Sequence, residues 1–221
     1  MSEGISKIVT TNQTGPHDKL EELVRRHLSS DSQKPISQHT REAFEQASAW
    51  LGEWQGPLIL DSCCGVGEST AVIASRYPAA KVIGVDKSAV RTKRHERAYA
   101  SGQDNYLVLR ADLNDFWRLA HRQGWKLARH YLLYPNPWPK SMHIKRRWHG
   151  GASFADIIRL GGRLVLRSNW LLYIEEFALA LKVAGFDATP SPYQSEQPMT
   201  PFERKYWASG QQSWQLEADL G

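Results

Sequence analysis

The chain has 221 residues, 41% hydrophobic, 10% aromatic and 23% charged, which is enough for one well-cored domain and too few for two large ones. A mean hydropathy of −0.51 without a long apolar run excludes a membrane-spanning helix, and the polar first residues predict no secretory signal. The two cysteines are neighbours, Cys63 and Cys64, which excludes a disulfide scaffold and predicts a reducing, cytoplasmic setting; 28 Lys and Arg against 23 Asp and Glu leave a net charge of +5.

The first fifteen or so residues carry Ser, Thr, Asn and Gly with few large apolar groups, and a mobile arm is expected there. Residues 17–28 predict an amphipathic helix, with Leu20, Leu23, Val24 and Leu28 at helical spacing; residues 38–52 predict another, with Phe44, Ala47, Trp50 and Leu51 on one side. From residue 57 short apolar runs alternate with helical stretches. The runs, read as strands, are 57–61, 81–86, 106–110, 130–134 and 162–167, and the helices lie near 67–76, 88–101, 113–123, 145–159 and 170–184. Continuous apolar strands separated by helices predict a doubly wound α/β domain, its parallel sheet covered on both faces, with an N-terminal helical extension. Residues 212–217 alternate and predict an antiparallel edge strand. No repeat and no dimer seam is legible, so a monomer is expected.

The first strand runs through Asp61, Cys63, Cys64, Gly65 and Gly67 directly into a helix. Small residues there let the backbone turn tightly and approach a ligand at a helix N-terminus, in the crevice where an open α/β sheet binds nucleotides; a purely structural turn is the competing reading. Asp86 closes the second strand, where a carboxylate can accept both hydroxyls of a ribose, and Asp112 follows the third, placed to meet an adenine amino group. A dinucleotide enzyme keeps a third glycine in the first turn, and this chain has Thr70 at that position.

Three acids after three consecutive strands resemble the cofactor site of class I S-adenosylmethionine-dependent methyltransferases. That resemblance implies a Rossmann-like sheet of seven mostly parallel strands, with residues 1–52 as N-terminal arm and helices and residues 53–221 as the methyltransferase domain. It implies S-adenosyl-L-methionine held by Asp61, Cys63, Gly65, Gly67, Asp86, Lys87, Asp112 and Leu113. Cys63 stands where that family usually has glycine.

The fourth strand leads into Tyr134-Pro135-Asn136-Pro137-Trp138-Pro139-Lys140, then His143, Lys145, Arg146 and Arg147. This segment resembles the signature of the tRNA guanine-N7 methyltransferases (TrmB-like), Pro-Asp-Pro-Trp-Pro-Lys followed by His and Lys-Arg-Arg. Near the C-terminus Thr200-Pro-Phe-Glu203 is similar to that family's Thr-x-Tyr/Phe-Glu. The resemblance implies a tRNA partner. Trp138 would contact a base or the cofactor, and Lys140, Lys145, Arg146 and Arg147 would hold phosphates. Glu203 would accept hydrogen bonds from guanine, with Thr200 fixing the loop or the cofactor end. Core packing of Trp138, and a surface ion pair of Glu203 with Arg204 or Lys205, are the competing readings.

Two positions depart from the family pattern. Asn136 stands where the family has Asp between the prolines, and Asn169 where it has Asp after the fifth strand. Both would border the target base as the catalytic pair, so the departure leaves a slow enzyme, a changed substrate or a non-catalytic RNA-binding relative open. Asn136-Pro137-Trp138 also faintly resembles the Asn-Pro-Pro-aromatic motif of exocyclic-amine methyltransferases, and a small-molecule or protein substrate is a further alternative. Cys63 and Cys64, with no other cysteine to complete a ligand set, are expected to pack as small hydrophobes, and no metal is expected.

Overall fold

The structure, a computed structural model, describes residues 6–98 and 103–221. Seven strands form one sheet: β1 (Leu58–Ser62), β2 (Lys81–Asp86), β3 (Tyr106–Arg110), β4 (Arg129–Leu133), β5 (Arg163–Ser168), β6 (Ser191–Tyr193) and β7 (Ser213–Asp219). Their order is β3-β2-β1-β4-β5-β7-β6; the first five are parallel, and β7 runs antiparallel to both β5 and β6. The chain therefore starts in the middle of the sheet, winds outward to β3, and returns to lay β4 beside β1. The crevice beyond the carboxyl ends of β1 and β4 is the switch point where such sheets bind ligands.

Side chains alternate across the sheet, because successive residues of a strand point to opposite faces. Leu58, Leu60, Ile83, Leu132, Leu164 and Leu166 enter one core, while Ile59, Val82, Tyr131, Leu133 and Val165 enter the other. The first core is covered by α1 (Leu20–Leu28), α2 (Gln38–Leu51), α5 (Leu113–Arg122), α6 (Phe154–Leu160) and α7 (Leu171–Val183). The second lies under α3 (Glu68–Arg76) and α8 (Pro201–Ala208); α4 (Ala89–Ala98) packs beside β2 and β3. The N-terminal helices share the main core: Phe44 meets Phe116 and Trp125 at ring-centroid distances of 5.5 and 4.9 Å. Among the described residues no helix is long and apolar enough to cross a membrane.

Three expectations change. The predicted helix over 145–159 is two short 3-10 turns, Ser141–Arg146 and Trp148–Gly150, followed by α6. Gly150 closes the second turn so tightly on the Ile144 backbone that a Cβ there would collide with it. The predicted edge strand is β7, one place inside the edge, because β6 pairs outside it; Pro192 suits an edge strand, which needs no full ladder. Lastly, the arm is ordered from residue 6 onward: Ser6 is buried and donates its N–H to Ser209 Oγ at 2.9 Å, and Thr11 Oγ1 donates to the Pro139 carbonyl at 2.6 Å. Residues 1–5 of the expected arm, and the 99–101 end of the predicted fourth-helix segment, lie outside the described residues.

Candidate active site

A cavity of about 1010 Å³ opens at the switch point. It is lined by the residues that follow each central strand: Cys63 after β1, Asp86 to Ser88 at the end of β2, Asp112 to Asn114 after β3, and Tyr134 to Trp138 after β4. Every non-glycine residue with positive φ among the described residues sits on this wall: Cys63 (φ 64°), Tyr134 (φ 52°) and Trp138 (φ 46°). Backbone of this kind costs free energy and persists where surrounding contacts enforce it, which is typical of sites that hold a ligand.

The β1 turn is built from below. Asp61 has no exposed surface, and its Oδ2 accepts hydrogen bonds of 2.7 Å from Ser69 Oγ and Thr70 Oγ1, pinning the start of α3 under the turn. Its Oδ1 has no partner. Burial raises its pKa from 3.8 to about 6, opposed by those two hydrogen bonds. Gly65 adopts φ +62° and donates its N–H to Asp86 Oδ2 at 3.1 Å. Gly67 adopts φ +76°, and a Cβ there would lie 2.5 Å from His95 Nδ1, so its missing side chain admits α4. Burial pushes the Cys63 thiol up to about 12 and raises Cys64 well above its ordinary value, so both stay neutral; Cys64 is buried and Cys63 packs against the core.

Asp86 keeps 8% of its side chain exposed at the cavity floor, where Ser88 N–H donates to Oδ1 at 2.8 Å and Arg91 stands 3.5 Å from Oδ2. A carboxylate has about four acceptor sites, so capacity remains for ligand hydroxyls. Asp112 caps α5 by accepting from Asn114 N at 3.0 Å, and it pairs with exposed Lys87 at 2.8 Å across the cavity. Burial alone would raise its pKa, yet the Lys87 and Asn114 hydrogen bonds bring it below the usual value. Leu113 supplies the apolar surface beside it.

The β4 loop forms the opposite wall. Asn136 is exposed at the mouth, its Oδ1 3.4 Å from Trp138 N. Arg146 lies over the Trp138 ring, 4.7 Å from its centroid, and His143 meets that ring edge-on at 5.6 Å. Exposed Lys34, Lys87, Arg91, Lys145 and Arg146 all border the cavity; Lys140 is exposed just outside it. Asn169 is half-buried and does not line the cavity; its Nδ2 donates to Gln211 Oε1 at 2.9 Å.

Two expected substrate contacts are corrected. Arg147 has a fully enclosed side chain, and its guanidinium donates to the Trp138 carbonyl, to Gln13 Oε1 at 2.6 Å and to Glu176, so it cannot reach a phosphate. Glu203 is equally enclosed. One oxygen accepts from Arg167 at 2.9 Å and the other from Met199 N at 2.6 Å, while Thr200 Oγ1 accepts from Glu203 N as the cap of α8. Both residues of the C-terminal motif thus build the helix that carries Phe202 and Tyr206, one turn apart and stacked, into the cavity wall beside Tyr134. The ion pair of Glu203 is buried and made with Arg167, whose side chain reaches from β5 to the first turn of α8. Sequence reasoning missed Tyr134, Phe202 and Tyr206 as lining residues; Phe202 stands inside the recognised motif and Tyr206 follows it at i+4, which was the available signal. Lys34, in the linker before α2, carried no such signal.

A crevice at this switch point, with acids at the ends of β1 and β2 and just after β3 and glycines at the first turn, defines a class I S-adenosylmethionine-dependent methyltransferase. The comparisons agree. The family model Methyltransf_4, described as a methyltransferase, matches residues 55–216. A tRNA (guanine-N(7)-)-methyltransferase of Nocardia farcinica is 30% identical over 91% of this chain and 77% of its own length. One of Shewanella baltica is 31% identical over 73% and 72%. Among solved structures, the 16S rRNA methyltransferase KamB superposes with a TM-score of 0.55 at 15% identity, over 86% of this chain and 98% of that one. The antibiotic-resistance methyltransferase Kmr gives 0.55 at 18%, over 80% and 92%. The chain belongs to the tRNA (guanine-N7-)-methyltransferase family.

Proposed function

We propose that this chain methylates N7 of a guanine in tRNA. The observation that carries the reading is one cavity in which nucleoside-type carboxylates, an aromatic wall and a proline-rich loop meet under a rim of exposed cations. Asp86 would accept the ribose hydroxyls of S-adenosyl-L-methionine, with Asp112, Leu113, Lys87 and Cys63 around its base and the Gly65 turn at its amino-acid end. Asp61 and Gly67 would act through the turn they support. When bound, the cofactor supplies an electrophilic sulfonium methyl.

Guanine N7 has a free lone pair, so this chain needs no general base; its tasks are alignment and tolerance of a ring that gains positive charge. Phe202, Tyr206 and Tyr134 would stack the extruded base, and Trp138 would close on it from the proline loop. Asn136 would turn its amide oxygen toward the cationic product; Asn169, outside the cavity, would act only through Gln211, which holds the Ser6 carbonyl. Lys140, Lys145, Arg146, Lys34 and Arg91 would hold phosphates of the folded RNA. A tRNA substrate implies a cytoplasmic place of work.

The test is transfer of labelled methyl from S-adenosylmethionine to bulk tRNA by the purified protein. Label released by strand cleavage specific for 7-methylguanine supports the reading. Cofactor binding without label overturns it and favours a non-catalytic RNA binder, the alternative that amides at 136 and 169 suggest.

A further inference from the structure

The loop that follows β4 has little of its own to hold it. Pro135, Pro137 and Pro139 carry no N–H, and Trp138 N has only the long 3.4 Å contact to Asn136. Its backbone is instead gripped from outside. The Trp138 carbonyl accepts from Arg147 Nε at 3.2 Å and Nη2 at 3.1 Å, the Pro139 carbonyl accepts from Thr11 Oγ1 at 2.6 Å, and Ser141 N donates to Asn12 Oδ1 at 2.9 Å. Asn12 Nδ2 also donates to Ser141 Oγ at 3.0 Å.

Two of those three grips come from the N-terminal segment, and the third is set by it. Arg147 is aimed by Gln13 Oε1 and by Glu176; Glu176 in turn accepts from Gln13 Nε2, His17 N and His149 Nε2, each at 2.9 Å. At its other end the segment is fastened to the turns that follow α8 and β5: Gln211 Nε2 donates to the Ser6 carbonyl at 2.7 Å, and Gln211 Oε1 accepts from Asn169. Residues 6–17 therefore run as a strap from the end of α8 to the proline loop.

We infer that Thr11, Asn12 and Gln13 are positioning residues for methyl transfer: they hold the Trp138 loop, and with it the strained Trp138 backbone, in the geometry that meets the target base. The inference rests on the proposed reaction. It concerns alignment and not cofactor binding, because the strap touches none of Asp86, Asp112 or the Gly65 turn.

The experiment compares the full chain with Thr11→Ala/Asn12→Ala/Gln13→Ala, in which Thr11 and Asn12 are exposed and Gln13 half-buried. The expected result is a fall in turnover on tRNA of about tenfold or more, the scale of a misplaced reacting group, with cofactor affinity unchanged. Amide exchange in the 136–141 segment should rise together with that fall. Thr11→Ser/Asn12→Asp, which keeps a hydroxyl donor and a carboxyl acceptor, should restore both. Unchanged turnover and unchanged exchange in the triple variant overturn the inference, as does a loss of cofactor affinity equal to the loss of turnover. If the unaltered protein transfers no methyl to tRNA, the proposed reaction fails, while the exchange measurement still decides whether the strap holds the loop.

Discussion

Replacing Glu203 by Ala separates two roles for the C-terminal motif. The carboxylate has no exposed surface, accepts from Arg167 at 2.9 Å and from Met199 N at 2.6 Å, and its removal leaves the guanidinium short of its counter-charge and one backbone N–H unpaired. Breaking one side of a buried ion pair costs about 3–5 kcal/mol. Arg167 retains Gln215 Oε1 at 2.7 Å and the Tyr193 ring at 3.6 Å, so the low end, about 3 kcal/mol, applies here. At about 2–4 °C per kcal/mol for a chain of this size, Tm should fall by roughly 6–12 °C. Thermal unfolding followed by circular dichroism measures it. The double variant Arg167→Met/Glu203→Leu, which removes both charges, should recover part of the loss. A Tm within about 1 °C of the parent, together with loss of methyl transfer at a temperature where the protein is folded, would refute the structural role and return Glu203 to the substrate.

Asp86→Ala should weaken S-adenosylmethionine binding about 10- to 100-fold, the worth of hydrogen bonds to a charged acceptor, and calorimetry reads it directly. Lys145→Ala/Arg146→Ala should weaken tRNA binding and make the slope of log affinity against log salt shallower by about 0.7–0.9 per lost phosphate contact; an unchanged slope removes both from the RNA interface. Asn136→Asp should raise single-turnover methyl transfer about tenfold, since a carboxylate near the cationic ring is worth a kcal/mol or more. No gain would mean the exposed mouth position does not face the reacting base.

For Asp61 the folded pKa is raised, to about 6, so the fold binds its proton more tightly than the unfolded chain. Its ionisation therefore costs stability as pH rises from about 4 to 6, by roughly 3 kcal/mol in full above that window. Asp61→Asn should flatten the stability profile between pH 4 and 6 in urea titrations. An unaltered slope would show that Asp61 is ionised with no penalty.

Much of this molecule was legible in the residues alone. Apolar runs bounded by turn residues locate β1 to β5 within a residue or two, because each strand has a continuous apolar stretch with its polar residues gathered at the ends. Asp86 and Asp112 could be assigned to one crevice from spacing, since a parallel sheet brings the ends of successive strands to the same edge. The exposed cations Lys145 and Arg146 were legible for the same local reason, as neighbours of a loop that must lie at that edge.

What depended on contacts distant in sequence was decided only in three dimensions. Arg146 and Arg147 are chemically alike and adjacent, yet one covers the face of Trp138 and the other is swallowed by Glu176 and Gln13, which lie 29 and 134 positions away. Glu203 reads as a ligand beside its motif and becomes an internal counter-ion because β5 sets Arg167 against it. The N-terminal segment has too few apolar residues to predict order. It is held by hydrogen bonds to partners more than a hundred positions away, and composition does not record such partners. Local pattern determines where the chain extends, coils and turns; tertiary packing decides which of its charged groups face a ligand and which are spent holding the site in shape.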